Sequence, residues 1–273
     1  MVLYALVSKA SIGSLFLAGI LPGLIMGLVL MIMNYYMAGK RGFAMEDPIP
    51  LRELPRKTAN AFPALLMPVI LLYGIYGGVT TPTEAAAIAA FYALLLAGLF
   101  YKALSFKTLF NVFVESARSS ASVGIVIGGA FILNFIVISE QLPQSIAMLL
   151  EGTDVNPIVF LIVVNLLILA LGCILDATTI ILVIVPLFIP TCEVLGIDLV
   201  HFGVLVVVNS MIGLITPPYG ILLFVINAVT DIPLREIISE IWAFLVILIA
   251  ALLIMLLVPD LVLWLPRVFG YQG

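Results

Sequence analysis

The sequence predicts an all-α integral membrane protein that crosses the bilayer several times and contains a re-entrant hairpin and a discontinuous transmembrane helix. Three observations predict it. Of 273 residues, 64% are hydrophobic and 10% charged, with a mean hydropathy of +1.33, whereas a soluble domain carries roughly 25% charged residues. The apolar residues fall in runs of about 15 to 27, and a spanning helix needs about 20. Gly, Pro and Thr clusters break the apolar sequence at three places. Backbone polar groups in hydrocarbon must be paired internally, which leaves helices or a closed barrel. Runs such as Leu161 to Leu171 lack the period-two alternation of barrel strands.

The first span is expected from about Ser11 to Ala38. The polar loop after it, 39–60, holds Lys40, Arg41, Arg52, Arg56 and Lys57, five of the eleven basic residues. Basic loops stay on the cytoplasmic side, so this loop is placed there. Phe62 to Tyr76 and Glu84 to Tyr101 form the next two apolar segments and return the chain to the cytoplasmic Lys102, Lys107 and Arg118. A span from roughly Ser119 to Ser139 leads to Glu140 through Asn156, which has acids but no Lys or Arg and faces outside. Pro157 to Leu171 and Ile180 to Pro190 are arms too short to span comfortably. They read as a hairpin entering from outside and leaving to outside, although orientation alone allows two short full spans. His201 to Val229 crosses back with a break at Gly213 to Gly220, and Ile241 to Val258 is the last span, ending in an interfacial segment with Trp264.

Each break carries oxygen-bearing side chains: Thr80, Thr81, Thr83 and Glu84; Asp176, Thr178 and Thr179; Thr216. Unwound backbone at membrane depth survives where protein buries it or a wet cavity adjoins it, and its carbonyls suit an alkali cation. Helix N-termini beside them can hold an anion. Glu84 and Asp176 are the only acids expected near membrane depth, where an unpaired carboxylate is costly. Thr81, Pro82, Thr83 and Glu84 fit a Thr-x-x-Glu capping box with Pro at the first helical position, a structural role for Glu84. Asp176 fits either an N-cap of the returning arm or an ion or substrate ligand at the hairpin tip, the second being favoured. Asn165 and Asn209 read as interhelical hydrogen bonds or cavity linings, with Asn209 the better site candidate because it precedes the Gly213 break. Cys173 and Cys192 have neither metal-ligand nor disulfide spacing and read as packing residues. The charges form no basic patch, so nucleic acid is not an expected partner.

At Gly77-Gly-Val-Thr-Thr-Pro-Thr-Glu-Ala-Ala-Ala87 and Gly213-Leu-Ile-Thr-Pro-Pro-Tyr-Gly220 the sequence resembles the large membrane subunit of tripartite ATP-independent periplasmic (TRAP) transporters, in its C-terminal portion. Leu171-Gly-Cys-Ile-Leu-Asp-Ala-Thr-Thr179, Gly196-Ile-Asp-Leu-Val-His-Phe-Gly203 and Ser11-Ile-Gly-Ser-Leu-Phe-Leu-Ala-Gly-Ile-Leu-Pro-Gly23 also match, so the likeness covers essentially the whole chain. The resemblance implies a sodium-driven importer of C4-dicarboxylates, sialic acids or keto acids in a bacterial or archaeal inner membrane. It implies a periplasmic binding protein and a small membrane subunit as partners, no cofactor beyond the coupling ion Na+, and no enzymatic activity. It also implies two inverted repeats, each with a re-entrant hairpin and an unwound helix. Carried onto this chain, residues 1–118 are scaffold-like helices, 119–240 the second-repeat transport core, and 241–273 the last helix and tail of one transmembrane domain. The expected site is Asp176, Thr178, Thr179, Asn209, Gly213, Thr216, Pro217 and Pro218, with Asp176, Thr179, Gly213 and Thr216 as sodium ligands.

Met1 falls where the family chain has left its first unwound helix, so the first repeat is expected to be missing here. A second reading is therefore a truncated, transport-inactive fragment or a half that needs a partner half. An intramembrane hydrolase is disfavoured, since Asp176 has no second intramembrane Asp and the single His201 sits at a membrane edge.

Overall fold

The computed structural model describes residues 1–41, 54–77, 79–141 and 156–272, and among them every regular element is helical. The helices are α1 (Val2–Ser8), α2 (Ile12–Arg41), α3 (Leu54–Tyr76), α4 (Pro82–Leu95, continued by a π-helical turn Leu96–Phe100) and α5 (Phe106–Ser139). They are followed by α6 (Pro157–Gly172), a return arm over 177–194, α7 (Leu199–Gly213), α8 (Ile221–Thr230), α9 (Leu234–Leu257) and α10 (Asp260–Val268). Among the described residues, four stretches are long and apolar enough to cross a membrane: Ile12–Lys40, Pro82–Phe100, Phe106–Val137 and Leu234–Leu257. The chain is thus an all-α, multi-pass membrane protein. Of the expected cytoplasmic loop 39–60, residues 39–41 end α2 and 54–60 begin α3, while 42–53 lie outside the described residues; of the expected outward loop 140–156, residues 142–155 lie outside them.

Three helix starts differ from expectation. α3 begins at Leu54 rather than near Phe62, inside the expected polar loop, with Pro55 in its first turn, where a missing N–H costs nothing. α5 starts at Phe106 and α9 at Leu234, both well ahead of the apolar run, because Glu115, Arg118, Arg235 and Glu236 are good helix formers whose long stems carry their charges away from an apolar helix.

The chain divides into two compact units, 42–122 and the remainder. In the first, α3 and α4 pack as a hairpin with small residues at the contact: Ala85 and Ala89 are buried, and Tyr92 donates to the Pro63 carbonyl at 2.8 Å. The turn is closed by the Thr80 N–H on the Gly74 carbonyl at 3.1 Å. α4 then starts on a capping box: Glu84 N–H donates to Thr81 Oγ1 at 3.3 Å and Thr81 N–H to Glu84 Oε2 at 2.8 Å, with Pro82 in the first turn.

The second unit is organised around α7, whose Val200 to Val206 are all buried. A helix apolar on every side can only stand inside a bundle. α6, α2, α9 and α10 surround it. α1 docks through Tyr4, fully buried, whose hydroxyl donates to the Leu199 carbonyl at 2.6 Å and whose ring lies directly over Gly203. At the start of α7, Asp198 Oδ1 accepts the Val200 and His201 N–H groups at 2.7 and 3.1 Å and the Tyr271 hydroxyl at 3.2 Å. His201 is buried with Nε2 3.0 Å from the Met255 carbonyl, pinning α7 to α9.

Candidate functional site

α6 and α7 run in the same direction and meet at their C-terminal ends. A Cβ on Gly213 would stand 2.7 Å from the Gly172 Cα and 2.9 Å from its carbonyl carbon, so the two backbones touch there and only glycine fits. With 16 and 15 residues, the helices are roughly 24 and 22 Å long at about 1.5 Å per residue, short of the roughly 30 Å hydrocarbon thickness. Their ends are also joined through the chain beyond them. The Gly220 N–H donates to the Cys173 carbonyl at 3.2 Å, tying the second break to the tip that follows α6.

Past Cys173 the chain turns, with Ile174 and Leu175 N–H on the Leu171 carbonyl at 2.9 and 2.8 Å. Asp176 then caps the return arm: Oδ2 accepts the Thr178 and Thr179 N–H groups at 2.9 and 3.3 Å, and Oδ1 accepts the Thr179 hydroxyl at 2.5 Å. Asp176 is exposed, while Thr178 and Thr179 are half-buried. The arm continues as a π turn Ile180–Ile184, a 3-10 turn Val185–Leu187 and a short helix Ile189–Val194. Pro186 and Pro190 lack N–H groups, so a regular α-ladder cannot run through them.

Beyond Gly213, Thr216 N–H bonds the Gly213 carbonyl at 2.9 Å and its hydroxyl the Ile212 carbonyl at 2.7 Å, with Thr216 9% exposed. A cis peptide joins Pro217 to Pro218, and Gly220 takes φ +43° before α8. Asn209 lies one turn earlier, fully buried, donating to the Asn165 carbonyl and Oδ1 at 2.6 and 3.0 Å.

The structure therefore brings the tip at 173–179 and the break at 213–220 together through their backbones. Thr81, Pro82, Thr83 and Glu84 belong to the other compact unit. Sequence reasoning did not single out Gly172, Cys173 or Gly220 as the joints; the signal available was a glycine closing an apolar run on both sides of the contact. Chemically, two helix C-termini carry partial negative charge, equivalent to roughly half an electron each. A carboxylate and two hydroxyls stand on the tip and a third hydroxyl in the break. The N-terminus of α8 starts at the same joint and adds partial positive charge beside them. Oxygen atoms of this kind are the donor type that hard cations take.

The fold and this joint define a class: an all-helical, multi-pass membrane protein with interrupted helices gathered at one place. A family model described as "Tripartite ATP-independent periplasmic transporter, DctM component" matches residues 1–261, and the chain belongs to that family of TRAP large permease subunits. It is 39% identical over 272 residues, 99% of its length, to the sialic acid TRAP transporter large permease protein SiaM of Vibrio cholerae, covering 64% of that protein. It is 39% identical over 270 residues to the C4-dicarboxylate TRAP transporter large permease protein DctM of Pseudomonas aeruginosa, covering 99% of this chain and 63% of that protein. A third relative, the isethionate TRAP transporter permease protein DctMQ of Oleidesulfovibrio alaskensis, is 38% identical over 94% of this chain and 41% of its own length. The chain thus spans somewhat under two thirds of the large permease proteins it matches.

Proposed function

We propose that this chain forms the second half of the transport core of a sodium-coupled secondary transporter for small organic acids, in the inner membrane. The observation that carries it is the Gly172–Gly213 contact with the Gly220 to Cys173 hydrogen bond. These place two helix C-termini and the Asp176 tip at one point on elements too short to span. In this reading α6 and the return arm are a re-entrant hairpin, and α7 with α8 a discontinuous helix. Asp176, Thr179, Gly213 and Thr216 supply oxygen to sodium. Thr178, Pro217, Pro218 and the N-terminus of α8 border the substrate carboxylate. Asn209, one turn before Gly213 and bonded to Asn165, supports the joint without serving as a ligand.

The relatives' names speak of sialic acid, C4-dicarboxylate and isethionate permeases, all of them anionic cargo. An anion that enters beside a bound cation has part of its charge neutralised locally, which is the physical reason to couple the two. A periplasmic binding protein delivers the acid and a small membrane subunit completes the complex; the DctMQ relative, with this chain covering 41% of it, leaves length for such a subunit.

The test is uptake of labelled succinate and sialic acid into proteoliposomes under an inward sodium gradient, with the binding protein and small subunit present. Sodium-dependent uptake that falls at least tenfold in both Asp176→Ala and Thr216→Ala is expected. Uptake with unaltered sodium dependence in both variants would remove the site assignment. A complex that takes up neither acid while binding both would favour a transport-inactive membrane fragment.

A further inference from the structure

The buried amide pair Asn165 and Asn209 has a specific geometry that the site reading does not use. Asn165, 6% exposed on α6, donates from Nδ2 to the Leu161 carbonyl of its own helix at 2.8 Å. This bond orients its side chain so that Oδ1 faces α7. Asn209, with no exposed surface, places Nδ2 on both Asn165 oxygens, the backbone carbonyl at 2.6 Å and Oδ1 at 3.0 Å. One amide group gripping a carbonyl and a side-chain oxygen of the same residue fixes rotation and translation at once. A buried polar pair specifies register in a directional way that aliphatic side chains do not, as a single buried Asn does between paired helices.

The register matters because of what lies one and two turns away. Gly213 follows Asn209 by four residues and Gly172 follows Asn165 by seven. A displacement of one residue along α7 is about 1.5 Å and about 100° of rotation. It would set Leu214 or Ile212 against the Gly172 backbone where no Cβ has room. The two bonds of this pair are the only side-chain hydrogen bonds between α6 and α7 among the described residues.

We propose that Asn165 is a positioning residue: through Asn209 it locks α6 and α7 in the single register that allows the Gly172–Gly213 contact, and so holds the hairpin tip against the helix break. The proposal rests on the sodium-site reading for one of its two readouts only. Nothing in it requires Asn165 to touch ion or substrate.

The experiment uses the complete transporter complex in lipid nanodiscs and compares the native protein with Asn165→Leu/Asn209→Leu. The double variant removes both polar partners together, so it leaves no buried amide unpaired and is expected to keep the native thermal midpoint. Two quantities are read. The first is amide hydrogen exchange of the segment 214–223, without sodium, which reports the Gly220 to Cys173 bond. The second is the sodium concentration for half-maximal uptake. A positioning role predicts about tenfold faster exchange and about a tenfold higher sodium requirement at unchanged thermal stability. Asn165→Ala, which keeps the backbone carbonyl as acceptor, is expected to show a smaller change of the same sign and serves if the leucine pair does not assemble. Native exchange in a well-folded variant overturns the proposal, and so does faster exchange with a native sodium requirement. If uptake by the native protein is independent of sodium, the sodium-site reading fails, and the exchange rates alone then decide on the register lock.

Discussion

At the scale of single residues, glycine sets where the site can form. Gly213→Ala would drive a methyl group into the Gly172 backbone, an obstacle that cannot rotate away. It is expected to cost about 1–3 kcal/mol by overpacking, read as a lowered thermal midpoint in detergent, together with lost uptake. Gly128→Ala on α5 has nothing within 4 Å of the new methyl and should leave both unchanged. Gly203→Ala meets the Tyr4 ring and should release α1 from α7, seen as faster proteolysis of the first residues. Residue types with a local rule were legible in the sequence: Thr81 and Glu84 form the capping box their spacing indicates. Thr81→Ala should lower stability by about 1 kcal/mol, and an unchanged midpoint would contradict the role. Asn209 could not be assigned in the same way. Its partner is 44 residues away, and nothing in a linear pattern says which of several buried residues it faces.

At the scale of elements, helix starts are fixed by caps and helix ends by interruptions. Asn156, Asp176 and Asp198 each accept N–H groups at the start of the element they precede. The Asp198 cap doubles as an anchor for the C-terminal tail through Tyr271. Burial, and then the negative charge of Asp198, push the Tyr271 phenol up to about 12, from an ordinary value of about 10. The folded state therefore keeps a proton that the unfolded chain releases first. Its stabilising contribution is present below about pH 10 and is lost as pH rises through about 12. The difference in thermal midpoint between the native protein and Tyr271→Phe should accordingly shrink between pH 9 and pH 11.5; a difference that stays constant would exclude the linkage. The order of elements was readable from apolar runs and Gly/Pro breaks. The irregular course of the return arm, with π and 3-10 turns, was less so, because prolines announce that a ladder fails without saying which ladder replaces it.

At the scale of the whole molecule, composition alone placed the chain in a membrane. The polar chemistry is spent at a few joints rather than along an exposed surface. The central joint is the meeting of the 173–179 tip with the 213–220 break. Sequence identified both segments as interrupted and oxygen-rich. That they touch follows from two glycines at the ends of parallel helices, a tertiary fact. The central claim is that this joint binds sodium. Equilibrium binding of radioactive sodium to the purified complex, native beside Asp176→Ala and Thr216→Ala, tests it without requiring a transported substrate to be known. Saturable binding by the native complex that is weakened at least tenfold in both variants is the predicted result; equal sodium binding in all three proteins would contradict it.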